Sequence, residues 1–403
     1  MAKDIKRVLF IAWDSASVSY LEGLFIPIFI GLQKHDYQFH VIQFSWASKE
    51  KVHSIELLCN TAGIAYTHKP IELRPIATVG KFITTYLGGN FVRHYIKKFA
   101  IDIVIPRSTM PASMVVNLKR KLKDVGLAFD ADGLPIDERV DFAGLRVGSF
   151  RHRKLEKIEG TIITNADVVL TRTSVAADYL SKKYKAVRSK FIQVTNGRNP
   201  SLFNFSEEAR SEVRSSLGIP MDATVLVYCG SIGPQYGVDE MLYIHKRLRE
   251  FKTNVFLLVI TNNVERMNEK LKNTQGENVV VKGVPVGEVP MYLSAADISL
   301  ALRKDAFSMV GVSPIKLGEY LLMGLPVVAS ARIGDTEQIL KDQDFAFVLD
   351  NFDQSNLDNA ISWLENVIPR ADTIRTSVRE FAMPRFSLER SVETYHMALS
   401  CVQ

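Results

Sequence analysis

The sequence predicts an α/β protein made of two doubly wound, Rossmann-like domains facing each other across a cleft. Short apolar runs alternate with helical patterns, and this strand–helix rhythm occurs twice along the chain. Between the two series lies Asn196–Asn204, a cluster of Asn, Gly and Pro that marks a turn-rich boundary. Parallel strands buried on both faces read as continuous apolar runs and need helical crossovers, so each series implies an open parallel sheet. The expected division is residues 1–196, residues 197–380, and a C-terminal helix over 381–403 that crosses back to the first domain.

The composition agrees. Of 403 residues, 47% are hydrophobic and 23% charged, an ordinary soluble balance with enough apolar material for two cores. The longest apolar stretch, near Leu24–Leu32, is too short to span a bilayer. The opening MAKDIKRVLFIAW runs directly into a strand pattern, so no signal peptide is expected. Cys59, Cys229 and Cys401 are odd in number and far apart, which gives neither a disulfide framework nor zinc spacing and points to the reducing cytoplasm. A net charge of +6 suits anionic ligands or an anionic membrane face. With no zinc finger, RNP motif or basic arm, a nucleic-acid partner is not expected.

In the first half, strands are expected at Arg7–Ala12, Phe39–Phe44, Ile101–Pro106, Leu127–Phe129, Val168–Thr171 and Phe191–Thr195. Gly23–Leu32 is apolar on all sides and reads as a buried helix. Residues 50–100 read as helix with interruptions; further helices are expected at Met114–Lys123, from Arg151 to Asn165, and over 174–185. Ligands of open α/β sheets bind outside the C-terminal ends of the strands. The Asp14–Glu22 loop, Arg107 and the run Asp130-Ala131-Asp132-Gly133 with Glu138 stand at such ends. Charge pairing within loops is the alternative for these residues. Lys81, Arg93, His94, Lys97 and Lys98 are interleaved with Phe82, Tyr86, Leu87, Phe91 and Tyr95, a pattern that suits a membrane face or a solvated helix packed on the core.

In the second half, a charged helix at Glu207–Leu217 precedes strands at Thr224–Cys229, Val255–Thr261, Val279–Lys282, Ile298–Leu302, Pro326–Ser330 and Ala346–Leu349. No G-x-G-x-x-G or Walker A motif follows either first strand. Gly230-Ser231-Ile232-Gly233 does follow a strand, and its small residues let a phosphate approach backbone N–H groups. In VSPIKLGEYLLMGLPVVAS, Ser313 is expected to cap a helix with Pro314 at its first position, and Gly324 to end it. Lys316 and Glu319, three apart, share a face near that helix start. A helix N-terminus attracts phosphate, the lysine adds charge, and a glutamate can accept hydrogen bonds from a ribose diol. The alternative is an i,i+3 ion pair on a solvated face.

The pattern S-P-x-K-x-x-E-Y-x-x-x-G-x-P-V-V resembles the donor-site helix of family 4 glycosyltransferases, which have the GT-B fold. IPRSTMPA, FDADGLPIDERVD, VYCGSIGPQYGVDEML, TNGRNPSLF, IGDTEQIL and FSLERSVETYHMAL are similar to further motifs of the bacterial polysaccharide-assembly members, in the same order. The resemblance implies transfer of a sugar from a nucleoside diphosphate sugar to a hydroxyl of a lipid-linked or polysaccharide acceptor. It further implies retention of anomeric configuration, no bound metal and no cofactor beyond the donor substrate.

By the same likeness the donor set is Gly230, Ser231, Gly233, Tyr236, Val284, Ser313, Pro314, Lys316 and Glu319, with Glu319 on the ribose. Lys316, Glu319, Asp130, Glu138 and Arg107 form the catalytic set; no residue is named as nucleophile. The chain departs from the family at Gly311, where the first glutamate of the E-x7-E pair would stand. It departs again at Ser231 and Tyr236, where an Arg and a Lys are common, and at Asp132, where the subgroup often has arginine. Two other functions are compatible with such a chain: a non-catalytic GT-B partner subunit, and a sugar-nucleotide epimerase. The expected location is cytoplasmic, with peripheral contact to the inner face of the membrane through the basic residues at 81–98, at Lys119, Arg120, Lys121 and Lys123, and at Arg151, His152, Arg153, Lys154 and Lys157.

Overall fold

The computed structural model of the chain describes residues 5–16, 20–74, 76–116, 124–272 and 277–402. It divides into two units. One comprises Met1–Thr195, Val310–Val312 and Ser391–Gln403; the other comprises Asn196–Met309 and Ser313–Arg390.

The first unit is built on a parallel sheet of β1 (Lys6–Asp14), β2 (Tyr37–Ser45), β3 (Ala65–Pro70), β4 (Ile103–Pro106), β5 (Gly126–Asp130), β6 (Val168–Thr171) and β7 (Phe191–Gln193). Their order is β3-β2-β1-β4-β5-β6-β7. In β1, Val8 pairs with Phe39 on one side and Ile103 on the other, so the winding reverses between β1 and β4. One face of this sheet packs Phe10 against Phe25 and Phe29, and Phe29 stacks on Phe39 with ring centroids 4.2 Å apart. The other face joins Leu9, Ile11, Ile42, Val104 and Phe129 to Ile162 and Ile163 of the helix Phe150–Asn165.

The second unit repeats the plan with β8 (Thr224–Cys229), β9 (Val255–Ile260), β10 (Val279–Lys282), β11 (Ile298–Ala301), β12 (Val327–Ser330) and β13 (Ala346–Leu349), in the order β10-β9-β8-β11-β12-β13. Here the winding reverses between β8 and β11. The charged helix Glu207–Leu217 is anchored by two buried arginines one turn apart. Arg210 and Arg214 bond Asp297 at 2.6 and 3.0 Å, and Asp297 also accepts the N–H of Val225 at 2.7 Å. Buried ions held this way are satisfied by pairing.

The expected strands are present with ends shifted by a residue or two. Four expectations are corrected or refined. The interruption expected within the helical residues 50–100 is a strand: β3 separates the helices Lys49–Thr61 and Ala77–Lys98. Its sequence AYTHKP is half exposed and pairs only with β2, so it lacks the apolar run that marks a central strand. The buried helix near Gly23–Leu32 begins as a π turn at Leu21–Phe25 and continues as Ile26–Gln33, with Ile30 on the outside. Ser313 does not cap the helix of the VSPIKLGEYLL segment. That helix is Ile315–Leu322, its cap residue is Pro314, and no side chain bonds the freed N–H groups. Finally, the C-terminal segment is two helices, Arg375–Phe386 and Leu388–Ser400, and residues from Ser391 onward belong to the first unit. Of the expected helix Met114–Lys123, Thr109–Val115 is observed, while residues 117–123, with Lys119, Arg120, Lys121 and Lys123, lie outside the described residues.

Candidate active site

In the second unit the site forms where β8 and β11 part. Such a reversal opens a crevice at the C-terminal ends of the strands. The chain leaves β8 through Cys229 and Gly230, with the hydroxyl of Tyr320 taking the N–H of Cys229 at 2.7 Å and the hydroxyl of Tyr228 donating to the carbonyl of Ser231 at 2.6 Å. Asn263 accepts the N–H of Ile232 at 3.0 Å. Gly230 has a φ of +152°, and a Cβ there would lie 2.6 Å from Nζ of Lys316. The glycine is needed because the lysine comes so close to the backbone.

Lys316 is the unusual group. Its side chain is 9% exposed, and Nζ is buried with no hydrogen-bond partner among the described residues. The ammonium lies over the rings of Tyr228 and Tyr236, at 4.0 and 4.6 Å from their centroids. Burial, and then the neighbouring Arg303, pull its pKa well below the usual lysine value. The expected alternative of an ion pair with Glu319 is not what forms: Glu319 is paired with Arg198, Oε1 lying 2.7 Å from Nη2 and 2.8 Å from Nε. One carboxylate oxygen of Glu319 is thus engaged. The thiol of Cys229 is pushed up to about 12 by burial and then by Glu319, which disfavours the nucleophilic thiolate at neutral pH.

Gly230, Tyr236, Lys316 and Glu319 are therefore brought together. Ser231 is exposed on the same loop, and Gly233 faces the side chain of Gln235, whose Oε1 would be 2.6 Å from a Cβ at that position. Ser313 and Pro314 lead into the helix start, where the first N–H groups lack intrahelical acceptors. The carbonyl of Ser313 is held by Asn196 at 3.3 Å. The side chain of Val284 is a core residue at 7% exposure, which leaves only its backbone to face a ligand. Three residues were missed in the sequence: Arg303, whose guanidinium lies 4.8 Å from the ring centroid of Tyr236; Tyr228, under the lysine; and Arg198. Arg303 lies two residues past the end of β11, so the strand-end rule alone could have singled it out.

In the first unit the strand-end charges form a closed set. Asp130 is fully buried; Oδ2 meets Arg172 at 2.8 Å and Oδ1 accepts the N–H of Asp132 at 3.1 Å. Asp130 is thus an internal counter-charge, a correction to its expected place among groups facing an acceptor. Arg107 bonds Asp132 at 2.7 Å, lies 4.0 Å from Asp14, and rests over the rings of Tyr20 and Phe25. Asp14 accepts from Gln43 at 2.8 Å. Asp132 is the most accessible of these carboxylates, its side chain 31% exposed. Glu138 stands apart, exposed in the first turn of the helix Pro135–Ala143. Gly311 packs on this unit: a Cβ there would sit 2.7 Å from Cγ and 2.9 Å from N of Leu134. A glutamate cannot occupy that position without moving the Gly133–Leu134 backbone.

Two parallel doubly wound sheets, one with a phosphate-competent loop beside a lysine-bearing helix start, define the GT-B fold of glycosyltransferases. The fold is shared across 98% of this chain and 99% of the crystal structure of Anabaena HepE in complex with UDP and glucose, at 14% identity and a TM-score of 0.72. Residues 209–380 match the family model described as "Glycosyl transferases group 1". The chain is similar to the D-inositol 3-phosphate glycosyltransferase of Acidothermus cellulolyticus, 26% identical over 58% of this chain and 53% of that protein. It is also similar to the putative teichuronic acid biosynthesis glycosyltransferase TuaH of Bacillus subtilis, 28% identical over 50% of this chain and 49% of that protein. The chain thus spans about half the length of the curated relatives it matches.

Proposed function

We propose that this chain is a retaining, metal-independent glycosyltransferase that moves a sugar from a nucleoside diphosphate sugar to a hydroxyl of a lipid-linked or polysaccharide acceptor. The observation that carries this reading is the buried ammonium of Lys316, unpartnered by any acceptor and set between a glycine-opened loop and a helix start. A buried cation without a counter-ion is costly, and a diphosphate supplies one. Lys316, Arg303 and the N–H groups of the helix start would stabilise the charge that develops on the departing nucleoside diphosphate. In a front-face transfer the bond from the anomeric carbon to the diphosphate breaks as the acceptor oxygen bonds to that carbon, and the acceptor proton passes to the leaving phosphate. No protein nucleophile is required, which fits the raised thiol pKa of Cys229.

Asp130 and Asp132 have the spacing of a metal-binding pair, but each faces a guanidinium, from Arg172 and Arg107. Activity should accordingly survive EDTA; abolition with rescue by manganese would assign these carboxylates a metal. The HepE complex supports UDP-glucose as the first donor to try, beside ADP- and GDP-sugars. The test is a thermal-shift screen of nucleoside diphosphates followed by a donor-hydrolysis assay, since bound ligand raises apparent stability by mass action. A shift with slow release of nucleoside diphosphate supports the transferase. No shift with any donor would favour the non-catalytic subunit that the packing of Gly311 keeps in view. Among the described residues no helix is long and apolar enough to cross a membrane. Peripheral attachment to an anionic inner leaflet is part of the proposal, with the exposed Lys97 and Lys98 as contacts.

A further inference from the structure

A cavity of about 790 Å³ opens in the first unit among the helices Ala77–Lys98, Thr109–Val115 and Phe150–Asn165. That is within the range of roughly 300–1,000 Å³ that small-molecule sites occupy. Its lining is sharply divided in character. Lys81, Arg93, Arg139, Arg151 and Lys154 contribute five cations, and among the described lining residues there is no carboxylate. Trp13, Phe82, Tyr86, Met114, Phe150 and Leu155 supply apolar and aromatic wall. None of the five cations has an ion pair among the described residues. Lys81 lies over the ring of Trp46, Lys154 over that of Phe82, and Arg93 bonds Asn90. Arg139 is held below the ordinary guanidinium value by burial and then by Arg151, which outweigh the smaller opposing pull of Glu138 and Glu159. At the mouth Phe82, Tyr86 and Phe150 are 58%, 69% and 78% exposed, large apolar groups left in water.

The position is also telling. Trp13 immediately precedes Asp14 in β1, and the helix Thr109–Val115 starts two residues after Arg107. The cavity therefore opens at the same end of the sheet as the strand-end carboxylates of that unit. An apolar hollow with a purely cationic rim complements a long apolar chain with an anionic head. We infer that it binds the lipid of the acceptor: a single apolar chain headed by a phosphate or diphosphate, with the chain along the aromatic wall and the head among the five cations. This rests on the transferase reading above, whose donor site lies in the second unit. A flat anionic membrane would satisfy the cations but leave the hollow unfilled.

The test is calorimetric titration of the full chain with farnesyl diphosphate, beside farnesol and inorganic diphosphate. Saturable 1:1 binding of farnesyl diphosphate, at least tenfold tighter than either half alone, supports the site. So does a tenfold or greater loss in a double variant, Arg151→Glu with Lys154→Glu. Both positions are exposed, and a thermal melt confirms that the variant folds. Equal binding of inorganic diphosphate would reduce the site to an anion patch, and equal binding of farnesol to an uncharged cleft. Binding to anionic vesicles with none of monomeric farnesyl diphosphate would make it a membrane surface; each of these outcomes overturns the inference. A thermal shift with UDP on the same sample keeps the two assignments apart. UDP shift without farnesyl diphosphate binding removes the lipid site alone, whereas farnesyl diphosphate binding without any nucleotide shift supports the lipid site and removes the transferase reading.

Discussion

The two units share one sheet plan yet treat charge at their strand ends in opposite ways. In the first, Arg107 pairs with the partly exposed Asp132 at 2.7 Å, and Arg172 with the buried Asp130 at 2.8 Å. In the second, Lys316 is buried over two tyrosine rings with no hydrogen-bond acceptor and has Arg303 as a like-charged neighbour. A paired network holds a loop in place even where single nitrogens, Nε of Arg107 and Nη1 of Arg172, lack an acceptor among the described residues, whereas a cation with no acceptor in a pocket is poised for an anion. The same topology thus yields paired charges at the strand ends of one unit and a buried lysine without an acceptor at those of the other.

The largest effect should come from breaking the closed set. Arg172→Met strands Asp130 as a buried, uncompensated charge and should cost roughly 3–5 kcal/mol in urea unfolding. Lys316→Met should leave unfolding unchanged or raise stability, because it removes an unpaired buried charge. If both variants lose stability equally, the contrast between the units fails.

Next in size is turnover. Lys316→Met should lower glycosyl transfer or donor hydrolysis by roughly 10²–10³-fold, the usual loss when one donor to a developing negative charge is removed. A folded variant with near wild-type turnover would show that the lysine is a structural oddity.

Glu319→Gln should weaken nucleoside diphosphate sugar binding by about 1.5–3 kcal/mol, the cost of a charge-assisted hydrogen bond. A nucleoside diphosphate lacking the ribose hydroxyls should bind both proteins alike. Unchanged affinity for the full donor would leave Glu319 as the partner of Arg198 only.

The smallest effect concerns pH. A lysine whose pKa is lowered on folding binds fewer protons folded than unfolded. Between that lowered value and the ordinary value near 10.4, the free protein therefore gains stability as pH rises. A bound diphosphate raises the lysine again, so donor binding should take up a proton and weaken as pH climbs through the window. Titrations in buffers of different ionisation enthalpy read this directly, and the uptake should vanish in Lys316→Met.

Much of the second unit was legible because its signals are local. Apolar runs such as Thr224–Cys229 and Val279–Lys282 are parallel strands, and the Lys316–Glu319 spacing does put both groups at one helix start. The edge strand Ala65–Pro70 was not legible, since a half-exposed strand with one partner carries no apolar run. Nor was the capping of Ile315–Leu322, where Pro314 takes the place expected for Ser313.

By itself the sequence determined the α/β class, the twofold strand–helix series and the residue types of the Gly230–Gly233 loop and the Ile315–Leu322 helix, because burial and turn chemistry act over a few neighbouring positions. Tertiary structure alone decided which charges meet. Glu319 pairs with Arg198, 121 residues away, and not with Lys316 three residues before it. Asp130 pairs with Arg172, 42 residues on. Lys316 is left without an acceptor because β8 and the helix Ile315–Leu322 bring Gly230 and two tyrosines against it. Coulomb attraction and desolvation depend on distances through space, and the chain fixes those only when the sheets close.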